Sequence, residues 1–425
     1  MKILLLNQAF YPDVVATAQH LAELAAALAE DGHEVTVVTG RRAYEDSQTT
    51  FPARETWRGV RIHRVFSTHF GKAAKWRRAA DFASFLLFCC LRLIRLPRHD
   101  VVVALTTPPL ISFLGAWRAR LWRARFCYWI MDFNPDEAIA AGWLAADSLA
   151  AKFLERLSRF SLRQADVIVA LDRFMRDRIV AKQIPADKIA VIPPWSHDQH
   201  VTFDVAGRDA FRSAHGLTGK FVVMYSGNHS PVHSLDTVME AAEQLRQRTE
   251  IAFCFVGGGS QFPRIRQWAA GNPNVCCLPY QPLDKLSASL SAADAHLVVM
   301  GDAMLGLVHP CKIYNILTVG APVIYVGPEP SHVTEILNGL RSPHPWAGVR
   351  HGAAEALVKQ IDRLRQTCAT VDRRPPPEIG TLFSQKTLLR RLAALVESTP
   401  GAKAGAPPDS EPSALVADAA KSGER

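Results

Sequence analysis

The sequence predicts an α/β protein of two doubly wound domains facing one another across a cleft, followed by a C-terminal helix and a disordered tail. Three observations predict it. Short, apolar, β-branched runs recur with helical segments between them, as strands buried in parallel sheets do. The 425 residues exceed one ordinary core. The rhythm breaks once, at PPWSHDQHV from Pro193, and then restarts.

Taken in order, KILLLN is a continuous apolar strand and QAFYPD the loop that leaves it. Leu21, Leu24, Ala25 and Leu28 share one face of a helix over about Thr17–Asp31, which Gly32 stops. EVTVVT then completes a βαβ unit, and VRIHRV, DVVVALT, RFCYWIM, DVIVAL and KIAVIP carry the pattern to the end of a first domain, residues 1–194. KFVVMYS, IAFCFVG, NVCCLPY, AHLVVM and APVIYV supply five strands to a second domain, residues 195–397. Thr381–Val396 reads as one closing amphipathic helix. Residues 398–425 are Ala, Gly, Pro, Ser and charge without periodicity, which predicts disorder.

Hydrophobic content of 48% with 21% charged residues excludes a largely disordered chain. The net charge of +9 is unevenly spread: residues 41–125 hold 17 Lys and Arg against 5 Asp and Glu. Inside that stretch lies WRRAADFASFLLFCCLRLIRLP, Trp76–Pro97. Its uninterrupted apolar part, Phe82–Leu91, is too short to span a bilayer, which needs about 20 apolar residues. Lys72, Lys75, Arg77 and Arg78 precede it, and Arg118, Arg120, Arg123 and Arg125 interleave with Trp117 and Trp122 beyond it. That mixture suits a helix lying in a membrane surface, where each cation near an anionic leaflet contributes about 1 kcal/mol. An ordinary solvated face or core helix is the competing reading. No nucleic-acid recognition motif accompanies the charge. The 8 cysteines show neither C-x-x-C nor zinc spacing and read as small hydrophobes in a reducing compartment. MKILLLNQAFYPD has too short an apolar run for a signal peptide, so an intracellular protein at the inner face of the cell membrane is expected.

Open α/β sheets bind ligands at the C-terminal ends of their strands. Four stretches occupy such ends: Asn7–Asp13, Met131–Glu137, SGNHSPVHS after KFVVMY, and LVHPCKIYNILTVG before APVIYV. In the last, Pro310 and Lys312 mark a helix start where unpaired N–H groups and an ammonium suit a phosphate; a surface lysine on a packed helix is the plain alternative. His229 and His233 flank a strand end and read as ligand-facing, whereas His20 reads as a surface residue. If the two histidines supply positive charge, transfer chemistry should weaken as pH rises past neutrality. Gly257-Gly258-Gly259 could admit a ligand to the backbone or could simply turn the chain. Asp132 could position a substrate or act as a base, or cap the following turn. The dinucleotide-binding G-x-G-x-x-G after the first strand, the P-loop and Asp-x-Asp are all missing, which argues against a nicotinamide or flavin cofactor and a carboxylate-bound metal.

FYPD after the first strand, GHEVTVVT, TTPP at Thr106–Pro109, DFNPDEAIAAG, YSGNHSPVHSLDTVMEAA, FVGGG and HPCKIYNILTVGAPVIYV follow one another in an order that resembles family-4 glycosyltransferases of the GT-B fold. The likeness spans roughly residues 1–397 and is nearest the L-fucosaminyltransferase-like branch of bacterial surface-polysaccharide assembly. It implies two Rossmann-like domains. The C-terminal one binds a nucleoside-diphosphate sugar as co-substrate and the N-terminal one a lipid-linked or glycan acceptor. Transfer proceeds with retention, without metal or separate cofactor. It further implies that Lys312, Gly227, Asn228, His229, His233 and Gly258 surround the diphosphate, that Asn315 meets the sugar or ribose, and that Tyr11 and Asp132 face the acceptor. The chain departs from the family where an arginine and a lysine are commonly found, at Asn228 or His229 and at His233. The Glu-x7-Glu pair falls on Leu307 and Asn315. A nucleotide-sugar epimerase of the same shape and a non-catalytic assembly subunit are the alternatives.

Overall fold

The computed structural model describes residues 1–13, 15–43, 49–71, 75–198, 200–367 and 373–398. Lys72 and the tail from residue 399 lie outside them. The chain divides into two compact units. One comprises Met1–Pro193, Gly306–His309 and the chain from Leu388; the other comprises Pro194–Leu305 and Pro310–Thr387.

In the first unit eight strands form one sheet: β1 (Lys2–Leu6), β2 (Glu34–Gly40), β3 (Arg54–Trp57), β4 (Val60–Val65), β5 (Val101–Ala104), β6 (Arg125–Trp129), β7 (Val167–Ala170) and β8 (Ile189–Val191), in the order β3-β4-β2-β1-β5-β6-β7-β8. All neighbours are parallel except β3 and β4. That edge hairpin was not expected; RETW is too short and polar to read as a strand, and it is closed by Arg58-Gly59, both at positive φ. The order reverses between β1 and β5, so the first unit's ligand-binding crevice is expected at their C-terminal ends.

The second unit's sheet runs β11 (Val275–Leu278), β10 (Ile251–Gly258), β9 (Phe221–Asn228), β12 (Ala295–Val299), β13 (Val323–Val326) and β14 (Trp346–Val349), all parallel. Alternation along the strands feeds two cores, one per face. Val223, Tyr225, Phe253 and Phe255 point into one, and Val222, Met224, Ala252 and Cys254 into the other. The switch point falls between β9 and β12. The unexpected edge strand β14 is WAGV, whose glycine and shortness hide it in the sequence.

Two helical expectations are corrected. The closing helix is two: Pro377–Thr381 and Gln385–Glu397, because Ser384 caps a fresh start by accepting from the Thr387 N–H at 3.2 Å. From Leu388 the second of these belongs to the first unit, where the Arg125 guanidinium donates to the carbonyls of Leu395, Val396 and Ser398 and satisfies the helix end. His20 is no surface residue; it is 1% exposed.

Candidate functional site

The second unit's switch point carries one unusual group. The helix Lys312–Thr318 begins two residues after Pro310, with Cys311 as its N-cap. Its first residue turns inward, so that the Lys312 Nζ sits 3.3 Å from the centroid of the Tyr225 ring. Among the described residues this ammonium has no hydrogen-bond partner and no exposure to solvent. Burial therefore holds Lys312 well below the usual lysine range. The reading of Lys312 as a surface lysine is overturned. A desolvated cation facing only a π-system is an unfinished electrostatic arrangement, and an anion would complete it.

Glycine makes this approach possible. Gly227 lies near the end of β9 at φ +134°, and a Cβ there would meet Lys312 Nζ at 3.2 Å. Gly257, its partner across the β9–β10 ladder, also has positive φ, and a side chain on it would overlap the Gly227 carbonyl. The space beside Gly258 is filled instead by the ring of Tyr280, 38% exposed, which sequence reasoning did not single out. Asn228 is exposed, and its carbonyl accepts from the buried Tyr225 hydroxyl at 2.8 Å. Tyr225 was also missed, since within KFVVMYS it reads as one more core residue.

His229 and His233 follow directly. His229 is fully buried between the rings of Tyr225 and Phe262, with its N–H and Nδ1 both on the Gly258 carbonyl. Its Nε2, the Nδ1 of His233 and the hydroxyl of Ser230 are buried without partners among the described residues. All three residues line a cavity of about 180 Å³, with Asp236, Gln261 and Arg264 on its other wall. Burial, and secondarily the Lys312 charge, pushes His229 down to about 4 and His233 down to about 3. Both are therefore neutral around pH 7 in the ligand-free protein, and the expectation that they act as cations does not hold. In the neutral form the one N–H of each ring is spent on a backbone carbonyl, Gly258 for His229 and Val299 for His233, so the partnerless nitrogens are acceptors.

The sign for stability follows from the same depression. His229, His233 and the buried His296, at about 4, are protonated in the unfolded chain near pH 6.5 but not in the folded unit. The unfolded state thus binds more protons, and stability falls as pH drops below about 6.5, by up to about 1.4 kcal/mol per pH unit for each histidine. Hydrogen exchange of the β9 and β12 amides, which reports on this unit alone, should accelerate between about pH 6.5 and 4.5 beyond its intrinsic pH dependence. Protection independent of pH would contradict it.

Asn315 is placed differently from the remaining donor candidates. Its Oδ1 accepts from the His197 N–H at 3.0 Å and its Nδ2 lies 3.2 Å from His197 Nδ1, so both ends of the amide already bridge to the segment entering the unit. Leu307, at the other position of the missing carboxylate pair, is a 1% exposed leucine in the first unit, whose carbonyl accepts from Phe133 N–H at 2.8 Å.

The first unit gathers its own candidates at the ends of β1, β5 and β6. Tyr11 is 38% exposed and stacks on Trp57, centroids 4.4 Å apart, and its carbonyl is held by Arg64 at 2.7 Å. Asp132 receives its backbone bond through donation of its N–H to Thr106 Oγ1 at 3.2 Å. Its carboxylate does not cap the next helix: Asp136–Ala140 starts from Pro135 with no side-chain cap. One turn on, Glu137 accepts from Asn134 Nδ2 at 3.0 Å. Burial raises Asp132 to about 6, while burial and the nearby Asp132 charge raise Glu137 to about 8. The two carboxyls thus interact, and both are held above the usual carboxylate range. Glu137 was missed, although its five-residue spacing from Asp132 across a proline turn was available as a signal.

Known proteins resemble this chain in sequence and in fold. Residues 16–195 match the model of the glycosyl transferase 4-like domain. WcaI of Escherichia coli (strain K12), named as a colanic acid biosynthesis glycosyl transferase, is 28% identical over 386 residues, covering 85% of this chain and 91% of WcaI. Residues 16–195 thus match a glycosyl transferase 4-like domain, and most of the chain is similar to a glycosyltransferase. Solved structures agree on the fold: sucrose-phosphate synthase from Thermosynechococcus elongatus superposes with a TM-score of 0.70 at 15% identity, covering 93% of this chain and 98% of the synthase. Anabaena Alr3699/HepE in complex with UDP-glucose gives 0.68 at 15% identity, over 94% of this chain and all of that one. The glycosyltransferase fold is GT-B, as the motif order implied.

Proposed function

We propose that this glycosyltransferase moves a sugar from a nucleoside diphosphate to a lipid-linked or glycan acceptor during bacterial cell-surface polysaccharide assembly. The observation that carries the reading is the buried, unpartnered Lys312 ammonium against Gly227 and Tyr225, at the switch point of the second sheet. A leaving diphosphate develops negative charge, and a fixed cation in a water-excluded place stabilises it without reorganisation. His229 and His233 line the adjoining cavity, and no metal is assigned to the step, which we take to be retaining. Tyr11 and Asp132 face the acceptor in the first unit. WcaI's name and the UDP-glucose complex of HepE support the polysaccharide and nucleotide-sugar parts of the reading.

The helix Lys75–Arg95 supports association with the membrane surface. No helix among the described residues is long and apolar enough to cross a membrane. This helix buries Phe85, Cys89 and Leu93 inward while Leu87, Leu91 and Ile94 stand 58%, 38% and 55% exposed on its outer side. An apolar outer face flanked by arginines suits an anionic leaflet.

Thermal-shift titration with UDP, GDP, ADP and dTDP tests the central part. One of them at about 100 times its Kd should stabilise the protein by about 2.7 kcal/mol. Failure of all four to raise the Tm would sink the nucleotide-sugar reading.

A further inference from the structure

We infer that Cys254 and Cys276, in the second unit, form a redox modification site, a thiol pair that a hydroperoxide closes to a disulfide. The 8 cysteines read from the sequence as small hydrophobes, but the sheet register sets these two apart. Cys254 on β10 stands opposite Cys276 on β11, and both side chains pack on the same face, with the core of Leu217, Val222 and Met224. No other two cysteines among the described residues oppose each other in a strand ladder. In-register neighbours of adjacent strands lie about 4.8 Å apart at Cα, within the span of about 4.4 to 6.8 Å that a disulfide bridges. The two thiols already touch, the Cys254 S–H donating to the Cys276 sulfur.

The two sulfurs are unequal, and the difference suits successive roles. β11 is the edge strand, and Cys276 is partly exposed on it, while Cys254 is fully buried one strand in. The hydrogen bond from Cys254, and then the Lys220 charge, hold Cys276 below the ordinary thiol range against the effect of burial. The same contact, and burial, hold Cys254 well above it. Cys277 is turned to the opposite face and pushed up to about 11 by burial. The Cys276 thiolate therefore attacks first. Its sulfur takes one peroxide oxygen, the O–O bond breaks, and the leaving alkoxide, or hydroxide from hydrogen peroxide, picks up a proton; Cys276 is left as the sulfenic acid. The Cys254 sulfur then attacks the Cys276 sulfur, the S–O bond breaks, and hydroxide leaves with the Cys254 thiol proton as water. Two electrons pass from the thiol pair to the peroxide. Cys254 lies four residues before Gly258 and Cys276 four before Tyr280, whose ring covers Gly258. The bond thus fastens together the two strands that carry this edge of the candidate site, and it does not depend on which donor binds there.

The test treats the whole chain with hydrogen peroxide, blocks the remaining thiols with iodoacetamide and reads cross-linked peptides by non-reducing mass spectrometry. Dimedone traps sulfenic acid in parallel, in wild type and in Cys254→Ala, Cys276→Ala and Cys277→Ala. Wild type should give a linkage between Cys254 and Cys276 that dithiothreitol reverses, with Cys276 consumed at least about 10-fold faster than Cys277. Cys254→Ala should strand Cys276 as its dimedone adduct. Cys276→Ala should leave Cys254 unoxidised, and Cys277→Ala should keep the linkage. Hydrogen exchange of the β11 amides should slow in the oxidised wild type. Peroxide-treated wild type without the linkage would overturn the pair, whatever the variants do. Cys276 reacting no faster than Cys277 would overturn its role as the attacking thiol, and unchanged β11 exchange would overturn the fastening of the edge strand.

Discussion

Replacing Lys312 by methionine will raise the Tm of the ligand-free protein and lower kcat by about 30- to 1,000-fold. Both effects come from one fact, the burial of an ammonium with no hydrogen-bond acceptor. Its desolvation opposes folding; methionine fills a similar volume over the Tyr225 ring without that penalty, stabilising by about 1–3 kcal/mol. In a domain of this size that corresponds to about 2–4 °C per kcal/mol. The same substitution removes a fixed cation from the leaving diphosphate, worth about 2–4 kcal/mol in the transition state. Differential scanning calorimetry and steady-state kinetics read the two effects on one preparation. A variant that is less stable, or that keeps full turnover, would contradict the assigned role.

Asp132→Asn should lower kcat by about 100-fold or more, the usual span for loss of a positioned proton acceptor, while donor binding stays intact because donor and carboxyl belong to different units. The wild-type kcat should rise with pH through an apparent pKa near 6, as the burial-raised carboxyl loses its proton. Asp132→Asn should lack that limb. The carboxyls of this pair are raised, so their contribution to stability runs opposite to that of the histidines: it is present at low pH and lost as pH climbs toward about 8, where Glu137 must ionise beside Asp132. Asp132→Asn removes the like charge and should flatten this loss. An unchanged pH profile in the variant would assign Asp132 a structural role.

How much of this was legible in the residues depended on whether a signal was local. Among the described residues twelve of the fourteen strands declare themselves by their β-branched, apolar pattern, most of them because a strand buried on both faces has no polar side to show. RETW and WAGV escaped, since edge strands are short and need not be apolar. The site was half legible. Glycines at strand ends and the lysine after Pro310 could be picked out by position, but their meaning could not. Nothing in HPCKIYN says that Lys312 points inward, because that depends on Gly227, some eighty residues earlier, leaving room for it. The histidines were misread for the same reason: ionisation follows from burial against Tyr225 and Phe262, a tertiary property.

The claim on which the rest depends is that Lys312 receives the donor diphosphate, and calorimetric titration in buffers of different ionisation enthalpy tests it most directly. The nucleoside diphosphate giving the largest thermal shift would be titrated into wild type and Lys312→Met at about pH 7 and 9. Because burial depresses Lys312 and an anion restores its charge, wild type should take up protons on binding. Lys312→Met should bind at least about 10-fold more weakly and lose the uptake. Equal affinity and equal proton counts in the two proteins would contradict the account.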